Sequence, residues 1–99
     1  MSPSSLQIKV NSLKRLIKEE SLYQQEVAEQ QHFVNQMKSN NADEYELKKQ
    51  IQVLEESQRM VPEVSEKIKK HKQALIEYVE NYKGDEDLSA AKELISAEV

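Results

Sequence analysis

The sequence predicts an all-α fold: an elongated antiparallel bundle of two long helices and one short C-terminal helix, forming a single domain over residues 1–99. Three observations carry that prediction. One glycine and two prolines stand in 99 residues, against about seven and about five in average usage. That shortage removes the turn material of sandwiches, barrels and glycine-rich nucleotide folds. Alanine, glutamate, lysine, leucine and arginine supply 44 of the 99 residues, the composition of long helices. Apolar residues also recur at alternating spacings of three and four over many turns, which is the period of packed helices and not of strands.

The first helix is expected over residues 5–39. Ser4 and Gln7 have the spacing of a capping box, in which each side chain accepts a hydrogen bond from the other's backbone N–H. Its seam is Leu13, Leu16, Glu20, Tyr23, Val27, Gln30, Val34 and Met37. The run Ser39-Asn40-Asn41-Ala42-Asp43 then ends it, because Ser and Asn compete locally for backbone hydrogen bonds. The second helix is expected over 43–83, with Asp43 and Glu46 as a second capping box and a seam of Leu47, Ile51, Leu54, Gln58, Val61, Ser65, Ile68, Lys72, Leu75, Val79 and Tyr82. Folding the chain at Asn40–Asn41 pairs these seams antiparallel. Met37 then meets Leu47, Glu20 meets Ser65 and Leu16 meets Ile68, and the register closes without a slip.

Pro62 lies deep in the second helix. An interior proline removes a hydrogen bond and crowds the carbonyl four residues earlier, at a cost of about 3 kcal/mol. The heptad keeps phase through it, which favours a kink in one continuous helix over a break. Gly84, the only glycine, is placed where a left-handed C-cap would fall. Acids at 85–87 follow it and suit the start of a third helix over 86–98, whose apolar face is Leu88, Ala91, Leu94 and Ile95. At 1.5 Å per residue the long helices span roughly 50 Å and the third about 20 Å. The third helix therefore covers only the half holding Leu6 to Ile17 and Ile68 to Tyr82, leaving a two-helix hairpin toward Asn40.

Composition also narrows the function classes. With 14 basic and 18 acidic residues the formal net charge is −4, which disfavours a nucleic-acid binder. No segment reaches the roughly 20 apolar residues of a membrane span, and Met1 to Leu6 holds no hydrophobic signal stretch. Without cysteine there is no disulfide framework and no thiolate site. His32 and His71 stand on different helices far apart in the register, so no metal site is expected. No phosphate loop or nucleophile–base set can be assembled, and the chain reads as a non-enzyme without a cofactor. The basic run Lys67, Lys69, Lys70, His71 and Lys72 is diluted by Glu63, Glu66 and Glu77 and reads as a solvated face.

One feature needs a partner. Val53, Met60 and Val64 form a second apolar stripe on helix 2, in the half that the third helix does not reach. With Tyr45 and the charged neighbours Lys48, Lys49, Glu55, Glu56 and Arg59 it makes a candidate partner-binding surface. Its occupant is either another protein or a second copy of this chain, so monomer and homodimer both stay open. A scaffold coiled coil acting by self-association is the alternative function.

The order of pieces resembles a known family. Ile8-Lys9-Val10, Leu13 to Glu20, Tyr23 and Glu26, then Tyr45 to Gln50, Val53 to Ser57 and Arg59-Met60-Val61-Pro62, are similar to tubulin-binding cofactor A over nearly the whole chain, most loosely from Asp85 onward. The resemblance implies a small cytoplasmic chaperone with a three-helix rod-like fold, working in the context of the microtubule cytoskeleton. It implies binding of β-tubulin after chaperonin release, on the way to assembly-competent αβ-tubulin, with no nucleotide of its own.

Overall fold

The computed structural model describes residues 3–97. It contains three helices: α1 (Ser5–Ser39), α2 (Glu44–Glu80) and α3 (Ser89–Ala97). The expected end of the third helix at 98 lies outside the described residues.

Both ends of α1 follow from local chemistry. Ser4 N donates to Gln7 Oε1 at 3.0 Å and Gln7 N donates to Ser4 Oγ at 3.1 Å, the reciprocal capping box. At the other end Ala42 N donates to the Met37 carbonyl and Asn41 N to that of Lys38. This is a Schellman motif, and Asn41 takes its left-handed position with φ 53°. Asn is one of the few non-glycine residues that tolerates that conformation. Asp43 caps α2 by accepting the N–H groups of Tyr45 and Glu46 at 3.1 and 3.2 Å.

The later boundaries differ from expectation. α2 ends at Glu80, not 83. Its last turn tightens, with Tyr82 N reaching only to the Val79 carbonyl, and the Asn81 side chain bonds the Glu77 carbonyl. α3 begins at Ser89, not 86, because Asp87 stands outside the helix and takes both the N–H and the hydroxyl of Ser89. Gly84 is not left-handed. Its role is close approach: the chain wraps the Tyr82 phenol, whose oxygen accepts Glu86 N–H at 3.0 Å. A Cβ at position 84 would sit 2.6 Å from Tyr82 Cζ.

These Ser89 hydrogen bonds, and then the nearby Lys92 charge, hold the Asp87 carboxyl below its ordinary value. A carboxylate with a depressed folded-state pKa contributes stability above its unfolded pKa, and that contribution disappears as pH falls through the folded value. Amide protection at the start of α3 should therefore drop on acidification below about pH 4, and Asp87→Asn should remove that pH dependence. Unchanged acid sensitivity in the variant, read by hydrogen exchange, would assign the effect to another group.

The chain divides into two compact units, Glu19–Ser65 and the pair Met1–Lys18 with Glu66–Val99. In the latter, the termini of the long helices and α3 bury Leu6, Val10, Leu13, Ile68, Leu75 and Ala91. The α3 face expected from sequence is the covered one: Ala91 is buried and Leu88, Leu94 and Ile95 are half-buried. Lys9 Nζ lies over the Tyr78 ring, and Tyr78 packs on Tyr82 at a centroid distance of 5.7 Å.

The unit Glu19–Ser65 is an antiparallel hairpin of α1 and α2. Ser65 Oγ donates to Glu20 Oε2, the pair expected from the register. One end of the Gln30 side chain binds both Gln50 Oε1 at 2.9 Å and the Gln50 carbonyl at 3.1 Å. Such polar layers cost stability and fix register. Every expected seam residue of α1 is at least half-buried. On α2, Gln58 is exposed and Ser57 takes its place.

α2 runs through Pro62 without ending, so the continuous helix is right and the break is not. Pro62 is exposed, and an alanine there restores the missing N–H bond without filling space. Pro62→Ala should raise the melting temperature by about 4–8 °C, the equivalent of roughly 1 kcal/mol in a domain of this size. A fall of several degrees in a thermal melt would give the ring a packing role.

Candidate functional site

Helix geometry distributes the candidate surface over α2. Tyr45, Lys48, Lys49, Val53, Glu55, Glu56, Arg59 and Met60 are all exposed. Val64 is not: it is 4% exposed and belongs to the core, so it is removed from the set. The reason is its spacing, three residues after Val61 and four before Ile68, both on the seam side.

The eight exposed residues do not form one patch. At 100° per residue, Val53 and Met60 point about 90° to one side of the α2 seam, while Lys48, Glu55 and Arg59 point to the other. Tyr45, Lys49 and Glu56 lie on the outer edge between them. Lys49 Nζ sits 4.5 Å from the Tyr45 ring centroid, a cation–π pair one turn apart. With Lys48 and Gln52 these two line a shallow depression of 310 Å³.

Two further apolar residues complete the surface, and one-helix patterns do not show them. Leu22 and Phe33 are 50% and 47% exposed on α1, beside 44% for Val53 and 37% for Met60 on α2. Leu22 and Phe33 are three turns apart and share a side about 100° from the α1 seam. They are rotated from their seam in the same sense as Val53 and Met60 are from theirs. In an antiparallel pair, flanks rotated in the same sense meet on the same side. The Glu20–Ser65 register sets Phe33 level with residue 52 and Leu22 level with residue 63. Phe33 is then about 1.5 Å along the axis from Val53, and Leu22 about 4.5 Å from Met60. The signal available in sequence was the pair of apolar residues off the α1 seam, combined with the register.

The two sides of this hairpin carry unlike charge. The side with Leu22, Phe33, Val53 and Met60 also presents Glu19, Glu26, Glu29 and Glu46, with Lys49 and Glu56 at its outer margin one turn before Val53 and Met60. The opposite side presents Lys38, Lys48 and Arg59 with Glu44 and Glu55.

Among the described residues no group of three or more His, Asp or Glu is placed to hold a metal ion. His32 and His71 are exposed, and His71 Nδ1 donates to the Lys67 carbonyl one turn earlier. No described helix is long and apolar enough to cross a membrane.

A family model described as tubulin binding cofactor A matches residues 1–95. The chain is 43% identical over 98 residues to tubulin-specific chaperone A of Saccharomyces cerevisiae, covering 98% of this chain and 92% of the relative. It is 31% identical over 88 residues to tubulin-specific chaperone A of Homo sapiens, covering 89% and 82%. Among solved structures, a β-tubulin binding post-chaperonin cofactor superposes with a TM-score of 0.88 at 42% identity, covering 95% of this chain and 93% of that one. Tubulin folding cofactor A from Arabidopsis thaliana gives 0.79 at 31% identity, covering 93% and 90%. With the model matched from residue 1 to 95 and a relative 43% identical over 98 residues, the chain belongs to the tubulin binding cofactor A family.

Proposed function

We propose that this chain is a tubulin chaperone that binds β-tubulin after its release from the chaperonin and holds it by stoichiometric contact. The observation that carries this reading is the near-complete match, in sequence and in fold, to a relative described as a β-tubulin binding post-chaperonin cofactor. The surface is compatible with that role. Its exposed apolar side chains are bordered by charged ones, which keeps the free protein dispersed and supplies a polar rim when a partner is bound. In this reading the chain performs no catalysis, works in the cytoplasm beside the microtubule cytoskeleton and requires neither nucleic acid nor membrane.

The proposed contact is the exposed part of α2 from Tyr45 to Met60. Combining Arg59→Glu with Met60→Ser alters both sides of the helix at one level and leaves the seam untouched. The double variant should stay helical by circular dichroism and capture purified β-tubulin at least tenfold more weakly, the loss expected when about 1.4 kcal/mol of binding is removed. Capture equal to that of the unmodified chain would place the contact elsewhere, with the basic face from Lys67 to Lys72 the next surface to alter.

A further inference from the structure

The hairpin has an apolar side that no other element of its unit covers. Leu22, Phe33, Val53 and Met60 each leave more than a third of their surface in water. They form two rungs, Phe33 with Val53 and Leu22 with Met60, separated by roughly 16 Å along α1. A spacing of three helical turns suits a helix laid along the hairpin, whose own apolar residues recur every three or four positions. Glutamates 19, 26, 29 and 46 border this strip, and it stays net acidic with Lys49 at its outer margin one turn before Val53.

Charge decides between occupants. A second copy meeting this side through a two-fold axis would set the same glutamates against themselves, because an isologous contact is self-complementary. Like charges facing across an interface oppose association. A helix carrying lysine or arginine beside its apolar stripe satisfies both the rungs and the rim.

We propose that the Leu22–Phe33–Val53–Met60 side of the hairpin docks a basic amphipathic helical segment of the client protein. This deepens the tubulin reading and rests on it only for the identity of the client. Gln24 and Ala28, exposed on the opposite flank of α1, take no part in that contact.

The test uses the full chain and an 18-residue helical peptide of leucine and lysine on opposite faces, with a second peptide carrying glutamate in place of lysine. Fluorescence anisotropy should show the lysine peptide binding at least about tenfold more tightly, with an affinity that falls as salt rises. Phe33→Ser with Val53→Ser should weaken binding about tenfold or more, as loss of anchor residues does. Glu26→Gln with Glu29→Gln should weaken it and flatten its salt dependence. Gln24→Ala with Ala28→Ser should change it less than about twofold, and all variants should keep their helical circular dichroism. Equal binding of the two peptides, binding of neither, or no effect of the Phe33 and Val53 changes would overturn the proposal. So would a wild-type dimer in sedimentation velocity that the Phe33 and Val53 changes dissociate, since a second copy would then be the occupant. β-Tubulin captured equally by wild type and by the Phe33–Val53 variant removes this face and leaves the tubulin reading standing. Peptide binding as expected, with no β-tubulin captured by wild type, leaves the face standing and removes that reading.

Discussion

Replacing Leu75 by alanine is expected to lower the melting temperature by about 10–20 °C. Leu75 and Leu13 are both fully buried, in the unit that α3 completes. A buried leucine truncated to alanine loses its transfer free energy and leaves a cavity, together about 2–5 kcal/mol. Total stability for such a domain is about 5–15 kcal/mol, so one substitution removes a large share of it. Leu22→Ala provides the contrast. Leu22 is half exposed and off the seam, so its loss should move the transition by no more than about 2 °C, the effect usual at surface positions. A scanning calorimetry shift under about 3 °C for Leu75→Ala would show that the buried seam does not govern stability.

The same substitution at two positions of α2 should give opposite outcomes. Val64→Asp places a carboxylate at a position 4% exposed. An uncompensated buried charge costs several kcal/mol, comparable with the whole stability of the domain. The variant should lose its cooperative thermal transition and much of its helical circular dichroism. Val53→Asp puts the carboxylate in water, at 44% exposure, and should fold as the unmodified chain does. Equal tolerance at both positions would return Val64 to the exposed surface.

Val64 also marks where one-dimensional reasoning fails. Counting from Val53 and Met60 assigns it to a second stripe, and counting from Val61 and Ile68 assigns it to the seam. A straight helix turns 3.6 residues per turn, not 3.5, and drifts by about 20° per heptad. At 100° per residue Val64 lies about 40° from Met60 and about 40° from Ile68, so burial decides between the two.

Legibility followed the range of the interactions. α1 was readable to the residue because both its ends are set within a few residues, by Ser4 with Gln7 and by Asn41. The hairpin register was readable because the seams are long, and Glu20 with Ser65 meets the expectation directly. The link after α2 was not, because its geometry depends on where a side chain folds. Tyr82 continues the heptad but turns its hydroxyl back to Glu86 N, which ends the helix early and leaves no room for a Cβ at residue 84. Leu22 and Phe33 were missed because their significance lies across the hairpin, on the side they share with Val53 and Met60.

The proposed function requires this chain to hold β-tubulin in a stoichiometric complex. Size-exclusion chromatography with multi-angle light scattering, on the purified full chain mixed with β-tubulin released from chaperonin and with no nucleotide added, measures that directly. The account predicts a discrete complex containing β-tubulin and this chain in fixed ratio, diminished by Arg59→Glu with Met60→Ser. β-Tubulin eluting free of the chain at every ratio tested would contradict it.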